Sequence, residues 1–465
     1  MGNIKPKQLS KLGITDNKAR SIAIETVSKH CKHYTAEQID SVLQQVVQSP
    51  ETFKSDAIWG KLAEVLSPPK VETHQFDLRE APLPHHIYGA DNIDDLARLQ
   101  METAMRLPVS ATGALMPDGC AGYGLPIGGV LATTDDVVIP YAVGKDIACS
   151  MCLTIMNAGV DYLVKHHDRA VKALYENTAF GLDGVLSNRQ YHPLFDSMEF
   201  REIPVLRKNR DKAIRQTGSS GGGNHFVDIC EVELHEGNQL GIEAGKYVGI
   251  LSHSGSRGLG AAIADYYTAI AKQICLLPRQ AGPYAWLSLK IEAGQEYWKC
   301  MEMAGGYAAV NHEQIHYNVG KAMRLEPLIC IRNHHNFAWR DRLSDGRHVI
   351  IHRKGATPAH QGELGIIPGS MASPGYIVSG NGCEVSLFSA SHGAGRTMSR
   401  IDARNSISRH ALDKQLAERG VTLIGGTTEE APLAYKDIDM VMAAQQELVN
   451  IEGKIIPRIV RMSEE

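Results

Sequence analysis

The feature that most constrains the fold of this chain is a change of character at Ser67-Pro68-Pro69. Before it, apolar residues recur at helical spacing, and helix-capping residues separate the segments. After it, glycine-rich turns alternate with short β-branched runs, for example at 137–142 and 247–251. Proline lacks a backbone N–H and disfavours helical backbone in the preceding residue, so the pair ends the helical segment. The sequence therefore predicts a helical appendage over residues 1–67 and a separate domain over residues 71–465.

The appendage is expected to contain helices with recognisable starts. Asp16 can cap a helix that runs to about His30, and Thr35 with Gln38 has the spacing of a capping box. Ser55 is expected to cap a further helix that the proline pair ends. Because no chemically reactive constellation falls in this segment, a docking or binding role is predicted for it.

The larger part is predicted to be one α+β domain. Helical stretches are expected at about 92–106, 260–274, 286–302 and 438–449, between strand-like runs. Strands and helices do not alternate regularly, and no fixed repeat is present, which argues against a doubly wound sheet or a solenoid.

Cysteine content and charge narrow the functional classes. The 465 residues include nine cysteines at irregular spacings, which is not a disulfide framework, so a special cysteine should be a metal ligand or a nucleophile. The net charge of −4 argues against a basic surface over the whole chain, although the segment 201–215 is a local basic run. No apolar stretch reaches the ~18 residues of a membrane span. The N-terminus lacks a signal-peptide core, so a cytoplasmic location and no membrane partner are expected.

Common nucleotide motifs are absent from the sequence. It contains no G-x-x-x-x-G-K-[ST] phosphate loop, no strand-associated G-x-G-x-x-G, and no K-x-D-G lysine-nucleophile motif. If the chain uses a nucleotide, it uses a different kind of site.

Potential metal ligands lie at or near the ends of strand-like runs, where a scaffold can hold a side chain rigidly. They are Asp146, Cys149, His225, His253 and one of the pair His334-His335. One carboxylate, one thiol and three imidazoles could hold two adjacent ions if the thiolate bridges, and this mixed set suits Mn²⁺, Zn²⁺ or Co²⁺. An isolated histidine is more often a structural hydrogen-bonding residue, so the interpretation depends on convergence in space.

Candidate phosphate-binding turns contain glycine, and all but the turn at 365–371 also carry a basic residue; backbone N–H groups in such turns bind anions. They lie at 254–258, 352–357, 365–371 and 391–396. Any one could be an ordinary structural turn, whereas the four together favour a site that handles several phosphates.

Taken together, these segments resemble the RtcB family of RNA-splicing ligases over about residues 85–450. The resemblance rests on Met116-Pro117-Asp118, 146–149, Gly223-Asn224-His225-Phe226, 253–258, His335-Asn336, 352–357, 365–371, 391–396, Met398-Ser399-Arg400 and 435–439. It implies an α+β ligase fold that uses GTP and two divalent ions, usually Mn²⁺. It also implies that RNA with a 3′-phosphate or 2′,3′-cyclic phosphate is joined to RNA with a 5′-hydroxyl, and it allows for a protein activator.

The resemblance also implies roles for particular residues. The metals would be held by Asp146, Cys149, His225, His253 and His335. His392 would attack the α-phosphate of GTP and carry GMP, with Asp118 assisting. Contacts to the guanylate would come from Asn224, Asp228, Gly369, Ser370, Met371, Gly393, Ala394, Gly395 and Tyr435. RNA phosphates would be held by Arg257, Lys354, Arg396 and Arg400.

Departures from the family pattern suggest a specialised bacterial paralogue that repairs cleaved tRNA or rRNA, with the helical appendage docking or contacting RNA. Cys120 stands where some members have histidine, Ala148 and Ser150 stand where glycines are frequent, and the C-terminus lacks the usual lysine. Two other interpretations stay open: a metal-dependent phosphoesterase that opens cyclic phosphates without ligation, and a noncatalytic protein that binds RNA ends.

Overall fold

The computed structural model describes residues 4–67, 72–187 and 190–464. The chain divides into two compact units, Met1–Thr73 and His74–Glu465. Pro68 and Pro69, on which the predicted boundary depends, lie outside the described residues, as does the N-terminal segment 1–3.

The first unit is helical. Its helices are α1 (Pro6–Lys11), α2 (Asn17–His30), α3 (Ala36–Gln48), α4 (Pro50–Phe53) and α5 (Gly60–Leu66). The Asp16 side chain accepts from the Ala19 N–H, and Thr35 with Gln38 forms the full capping box, as predicted. The helices enclose their own apolar core, which includes Leu43 and Leu62.

The prediction that Ser55 caps the last helix of this unit is wrong. α5 begins at Gly60, and the side chain of Asp56 accepts hydrogen bonds from the backbone N–H groups of Ile58 and Trp59. The carboxylate satisfies these donors in a turn before the helix, so the helix starts later than the spacing of apolar residues indicated.

The second unit mixes helices and sheets, which confirms the predicted α+β class. Its helices are α6 (Asp95–Met105), α7 (Pro140–Val143), α8 (Asp161–Lys165), α9 (His167–Asn177), α10 (Met198–Glu202), α11 (Pro204–Gln216), α12 (Arg257–Ile274), α13 (Glu292–Met323), α14 (Arg400–Ser406), α15 (Arg409–Arg419) and α16 (Ile438–Ala443), with 3-10 turns at Ala90–Asn92, Pro193–Asp196, Arg279–Tyr284, Thr428–Glu430 and Pro432–Ala434. Its strands are β1 (His74–Gln75), β2 (His86–Ile87), β3 (Ser110–Cys120), β4 (Ile127–Thr134), β5 (Val137–Val138), β6 (Ser150–Gly159), β7 (Phe226–Leu234), β8 (Gly245–Ser254), β9 (Cys275–Leu276), β10 (Leu287–Ser288), β11 (Pro327–His334), β12 (Asn336–Arg342), β13 (His348–Lys354), β14 (Ala356–Pro358), β15 (Leu364–Ile367), β16 (Gly375–Gly380), β17 (Ser389–Ser391), β18 (Thr422–Ile424) and β19 (Val449–Met462).

Three predicted elements need correction. The run 137–142 is a strand only at β5, because Pro140 has a backbone preset for the first turn of α7. The helix predicted at 286–302 begins at Glu292 and continues to Met323. The helix predicted at 438–449 ends at Ala443, and Val449 already belongs to β19.

The larger sheet has the order β11-β6-β8-β7-β19-β16-β15, with β18 beside β19. Neighbours from β11 to β7 are antiparallel, with Ser150 opposite both His334 and Ser254, and Phe226 opposite His253. Strands β6 and β7 therefore begin at the same edge at which β8 and β11 end.

A second sheet has the order β12-β13-β4-β3-β2, and the short pair β14–β17 adjoins it in sequence. His335 is the residue between β11 of the first sheet and β12 of the second, so the two sheets meet at that edge. The long helix α13 buries one face against the protein. Among the described residues, no helix is both long and apolar enough to cross a membrane.

Candidate active site and metal centre

The predicted metal ligands converge at the shared edge of the larger sheet. Cys149 immediately precedes β6, His225 immediately precedes β7, and His253 is near the end of β8. His335 follows β11, and Asp146 lies in the loop that enters β6. Antiparallel pairing alone brings these chain positions together, although they span almost 190 residues of sequence.

The ligand atoms form two triads that share Cys149. In the first, His225 Nε2 lies 3.3 Å from Cys149 Sγ and 3.1 Å from Asp146 Oδ2. In the second, His253 Nε2 lies 3.1 Å from Cys149 Sγ and 3.3 Å from His335 Nε2. These nitrogen and sulfur atoms cannot all form hydrogen bonds with one another, because they carry too few protons. The donor set therefore fits a pair of transition-metal ions bridged by a thiolate.

Backbone contacts hold the loop that carries Asp146 and Cys149. The N–H of Ala148 donates to the carbonyl of Asn336, and the N–H of His335 donates to the carbonyl of Cys149. Ala148 has a φ of 61°, in the left-handed region that favours glycine. A glycine would adopt this conformation with less strain than alanine.

A glycine is required beside one imidazole. A Cβ on Gly221 would lie 2.0 Å from His225 Nδ1, so a side chain here would displace the ring. The glycine-rich loop before β7 therefore leaves space for the imidazole of His225, one of the predicted metal ligands. On the other side of the site, His253 Nδ1 donates to the carbonyl of Asn224, which orients its Nε2 towards Cys149.

Burial keeps His253 and His335 neutral. It lowers the pKa of His253 to about 3 and the pKa of His335 well below its ordinary value, with nearby imidazoles adding to the effect. Burial also works against ionisation of Asp146, but the charge and hydrogen bond of His225 outweigh it and lower the pKa of Asp146 to about 2. Neutral imidazoles and an ionised carboxylate are the forms that bind metal.

His392 stands beside this cluster and is held by a buried aspartate. Its ring centre lies 5.1 Å from that of His335. Its Nδ1 lies 2.6 Å from Oδ2 of Asp118, which is fully buried and also accepts from the backbone N–H of His392. Nε2 is the nitrogen that remains for chemistry.

The turn after His392 approaches the aspartate closely. Gly395 has a φ of 75°, and a Cβ there would lie 2.2 Å from the backbone oxygen of Asp118. This turn can therefore pack against β3 only without a side chain at that position.

A cavity of about 950 Å³, including its open mouth, adjoins His253, His335 and His392. Its size lies in the range of small-molecule sites. All residues predicted to contact a guanylate line it: Asn224, Asp228, Gly369, Ser370, Met371, Gly393, Ala394, Gly395 and Tyr435. The structure thus brings these residues together from four separate chain segments.

Comparison with known proteins agrees with this geometry. A family model described as tRNA-splicing ligase RtcB matches residues 100–203 and 196–462. The chain belongs to the RtcB family. The match begins after the helical unit Met1–Thr73.

Relatives in this family come from bacteria and archaea. The RNA-splicing ligase RtcB of Escherichia coli K12 is 31% identical over 387 residues, covering 76% of this chain and 91% of that protein. The tRNA-splicing ligase RtcB of Nanoarchaeum equitans is 31% identical over 442 residues, covering 79% and 92%. That of Thermococcus kodakarensis is 29% identical over 462 residues, covering 83% and 96%.

The four predicted phosphate ligands of this RtcB-family chain differ in their surroundings. The Arg257 guanidinium donates to the Ser219 hydroxyl and the Gly181 carbonyl. Lys354 donates to the carbonyl of Tyr123, and burial lowers the pKa of Lys354 to about 8.

The other two cations lie at the rim of the cavity. Arg396 and Arg400 both pair with Glu430, at 3.0 and 3.2 Å, and Arg400 also donates to the side chain of Asn224. Arg396 stacks over the ring of Tyr435. These two guanidinium groups are therefore oriented by protein acceptors before any phosphate arrives.

Sequence reasoning missed two cavity residues that carry polar chemistry. Glu430 is buried, accepts from the hydroxyl of Tyr435 and lines the cavity. Cys120 also lines it, and burial raises the pKa of its thiol. Cys120 stood out only as a departure from the family pattern, and Glu430 belongs to no motif, although the acidic pair Glu429-Glu430 shortly before Tyr435 was an available signal.

Proposed function

We propose that this chain is a GTP- and Mn²⁺-dependent RNA ligase acting in RNA repair. It joins an RNA 3′-phosphate or 2′,3′-cyclic phosphate to a 5′-hydroxyl through a histidine–GMP intermediate. The observation that carries the proposal is His392, held by buried Asp118 beside the Cys149 triads and at the wall of the cavity.

Asp118 sets which nitrogen of His392 reacts. Its Oδ2 accepts the Nδ1 proton, so the lone pair of the neutral imidazole lies on Nε2. Nε2 attacks the α-phosphorus of GTP, a P–N bond forms, and pyrophosphate leaves. Asp118 stabilises the positive charge that develops on the ring, as a buried carboxylate does beside a reacting histidine.

The two triads are the proposed metal sites. Asp146, Cys149 and His225 would hold one ion, and Cys149, His253 and His335 would hold the other. Bound divalent ions would supply charge stabilisation for phosphate oxygens.

The cavity is the proposed guanylate site. Asp228 is buried with Oδ1 lacking a partner among the described residues, and Glu430 lies across the same cavity. These carboxyl groups are acceptors suited to the N–H and NH₂ groups on the edge of guanine. Met462 lines the cavity, whereas Arg461 points away and donates to the hydroxyl of Thr178. Nucleotide selection would therefore rest on these acidic acceptors.

The RNA ends complete the cycle. The 3′-phosphate attacks the phosphorus bound to His392, so GMP moves to the RNA and the P–N bond breaks. The 5′-hydroxyl then attacks the activated phosphate and expels GMP. A cyclic phosphate is first opened by water. Arg257, Lys354, Arg396 and Arg400 are the proposed cations for RNA phosphates.

The test is incubation of the full chain with α-labelled GTP and Mn²⁺, followed by a denaturing gel. Wild type should carry an acid-labile label, and His392→Ala should carry none. His410→Ala is the matched control, because His410 is exposed on α15. The same preparations are then given RNA with a 3′-phosphate and RNA with a 5′-hydroxyl, which wild type should join.

Other outcomes identify other functions. Opening of a cyclic phosphate without label or ligation would indicate a phosphoesterase. Binding of RNA ends without any turnover, in metal-loaded protein, would indicate a noncatalytic protein. Label that survives in His392→Ala would reject His392 as the nucleophile.

A further inference from the structure

A second group of metal-ligand side chains lies away from the cavity, between the larger sheet and helix α13. Ligand atoms of Cys152, His312 and His316 lie within 4.8 Å of one another, and all three residues are buried. The Sγ of Cys330 lies 3.4 Å from the Sγ of Cys152. The thiol of Cys330, which is exposed, therefore lies beside this buried triad through its contact with Cys152.

The secondary structure explains this meeting. Cys152 on β6 pairs with Arg332 on β11, and Cys330 is two residues from Arg332, so both thiols project from the same face of the sheet. His312 and His316 are four residues apart on α13, which places both on one face of the helix.

The imidazoles are oriented as metal ligands usually are. His312 Nδ1 and His316 Nε2 both approach the hydroxyl of Ser252, at 2.6 and 2.7 Å. Ser252 is directly opposite Cys152 in the strand register. Two ring nitrogens therefore converge on one point beside the thiols.

Hydroxyl groups hold the remaining ring nitrogens. His312 Nε2 lies 3.0 Å from the Ser150 oxygen, and His316 Nδ1 lies 2.7 Å from the Thr154 oxygen. Metal-ligating histidines almost always use their second nitrogen in this way, which fixes the ring and its tautomer.

We propose that Cys152, Cys330, His312 and His316 form a structural Zn²⁺ site, distinct from the two triads at the sheet edge. Two sulfur and two nitrogen ligands match the four-coordinate set of structural zinc. Binding releases to solvent the proton of the Cys152 thiol and any proton still on Cys330, and the Ser252 hydroxyl turns aside from the point where the nitrogens converge. The ion ties α13 to β6 and β11, the strands next to which Cys149 and His335 lie.

The local electrostatics agree with metal binding. Burial lowers the pKa of His316 to about 3 and the pKa of His312 well below its ordinary value, so both rings are neutral. The hydrogen bond from Cys152 lowers the pKa of the Cys330 thiol to about 6, which makes a thiolate available at neutral pH. The same hydrogen bond, together with burial, raises the pKa of the Cys152 thiol, so Zn²⁺ would have to displace its proton. Neutral imidazole and thiolate are the forms that bind Zn²⁺.

The first test is a metal count on the full chain, loaded with Zn²⁺ and dialysed. Cys330→Ser and His316→Asn should each hold about one zinc fewer than wild type. Cys383→Ser and His410→Asn are matched controls outside both clusters and should retain the wild-type count. Because the triads at the sheet edge are intact in every variant, their zinc contributes equally. An unchanged count in Cys330→Ser and His316→Asn would reject the site.

The second test uses unmodified protein, so it does not depend on folding of a variant. Cys330 is exposed and can be alkylated. Zn²⁺ should protect Cys330 from iodoacetamide by at least about ten-fold, as measured by mass spectrometry, and a chelator should abolish the protection. Equal alkylation with and without Zn²⁺, or a Cys152–Cys330 disulfide that forms in air while Zn²⁺ is present, would overturn the proposal.

Discussion

Strand β6 connects two clusters of similar residue types in very different settings. The Cys149 cluster lies at the sheet edge, adjoins the large cavity, and includes His225 and His335, whose Nδ1 atoms lack partners among the described residues. The cluster around Cys152 lies three residues further on, and hydroxyl groups hold its ring nitrogens against the face of α13. Histidine and cysteine alone therefore do not define an active site. Access to a cavity and the proposed nucleophile His392 make the first cluster suited to catalysis, whereas the burial of Cys152, His312 and His316 suits the second to structure.

The largest expected effect separates the two clusters by activity. Cys149→Ala should lower RNA ligation by at least ~10³-fold, because removing the shared ligand forfeits several kcal/mol of charge stabilisation. Cys152→Ala should lower ligation by less than about five-fold but reduce the free energy of unfolding by roughly 1–3 kcal/mol through loss of a buried partner. Ligation rates and urea unfolding of both variants check this. Equal loss of ligation in Cys149→Ala and Cys152→Ala would contradict the separate roles of the two clusters.

A smaller effect is expected for Asp118, the buried aspartate that holds His392 beside the cavity. Asp118→Asn should reduce the rate of GMP labelling by about 10²-fold, since the histidine loses the group that orients it and stabilises its charge. GTP binding, measured by equilibrium dialysis, should change little. A variant that loses binding and labelling together would show that Asp118 acts on the shape of the cavity instead.

A pH effect is expected from Lys354, whose ammonium group donates to the carbonyl of Tyr123. Burial lowers the pKa of Lys354 to about 8, so its positive charge is present at pH 7 and is lost as the pH rises through 8. Affinity for RNA with a 3′-phosphate should therefore fall by roughly five-fold between pH 7 and pH 9, corresponding to about 1 kcal/mol. Lys354→Arg should remove that dependence, because arginine stays charged. Fluorescence anisotropy in the absence of GTP measures the affinity for RNA. If the affinities of wild type and Lys354→Arg fall equally with pH, Lys354 is not the titrating group.

The smallest effect concerns the backbone of the loop that holds Cys149. Ala148→Gly should leave the free energy of unfolding unchanged or raise it by up to about 1 kcal/mol, because the strain of the left-handed conformation exceeds the added flexibility of the unfolded chain. Ala417→Gly, at an exposed helical position, should instead lower it by about 1 kcal/mol. Urea unfolding compares the two, and a loss for Ala148→Gly as large as the control would show that this loop is unstrained.

The cavity-side ligands could be predicted from the sequence because each stands beside a run with strand character. Cys149 precedes β6 and His335 follows β11, and such positions are visible without a structure. The pairing of Asp118 with His392 could not be predicted from spacing, since 274 residues separate them and β3 is irregular near Asp118.

The enclosed cluster escaped sequence reasoning for a different reason. Cys152 sits within an apolar strand, and His312 and His316 lie inside a 32-residue helix, so each resembles an ordinary core residue. The four-residue spacing of the histidines was the available signal. The helix predicted at 438–449 was wrong because apolar residues continue into β19, and periodicity alone does not show where the pairing of β19 with β16 begins.

The most direct measurement is anomalous diffraction at the manganese absorption edge from crystals grown with Mn²⁺. The account predicts two peaks on either side of the Cys149 sulfur, one beside Asp146 and His225 and the other beside His253 and His335. Absence of both peaks, or manganese only between Cys152 and His316, would contradict the assignment of the sheet edge as the catalytic metal centre.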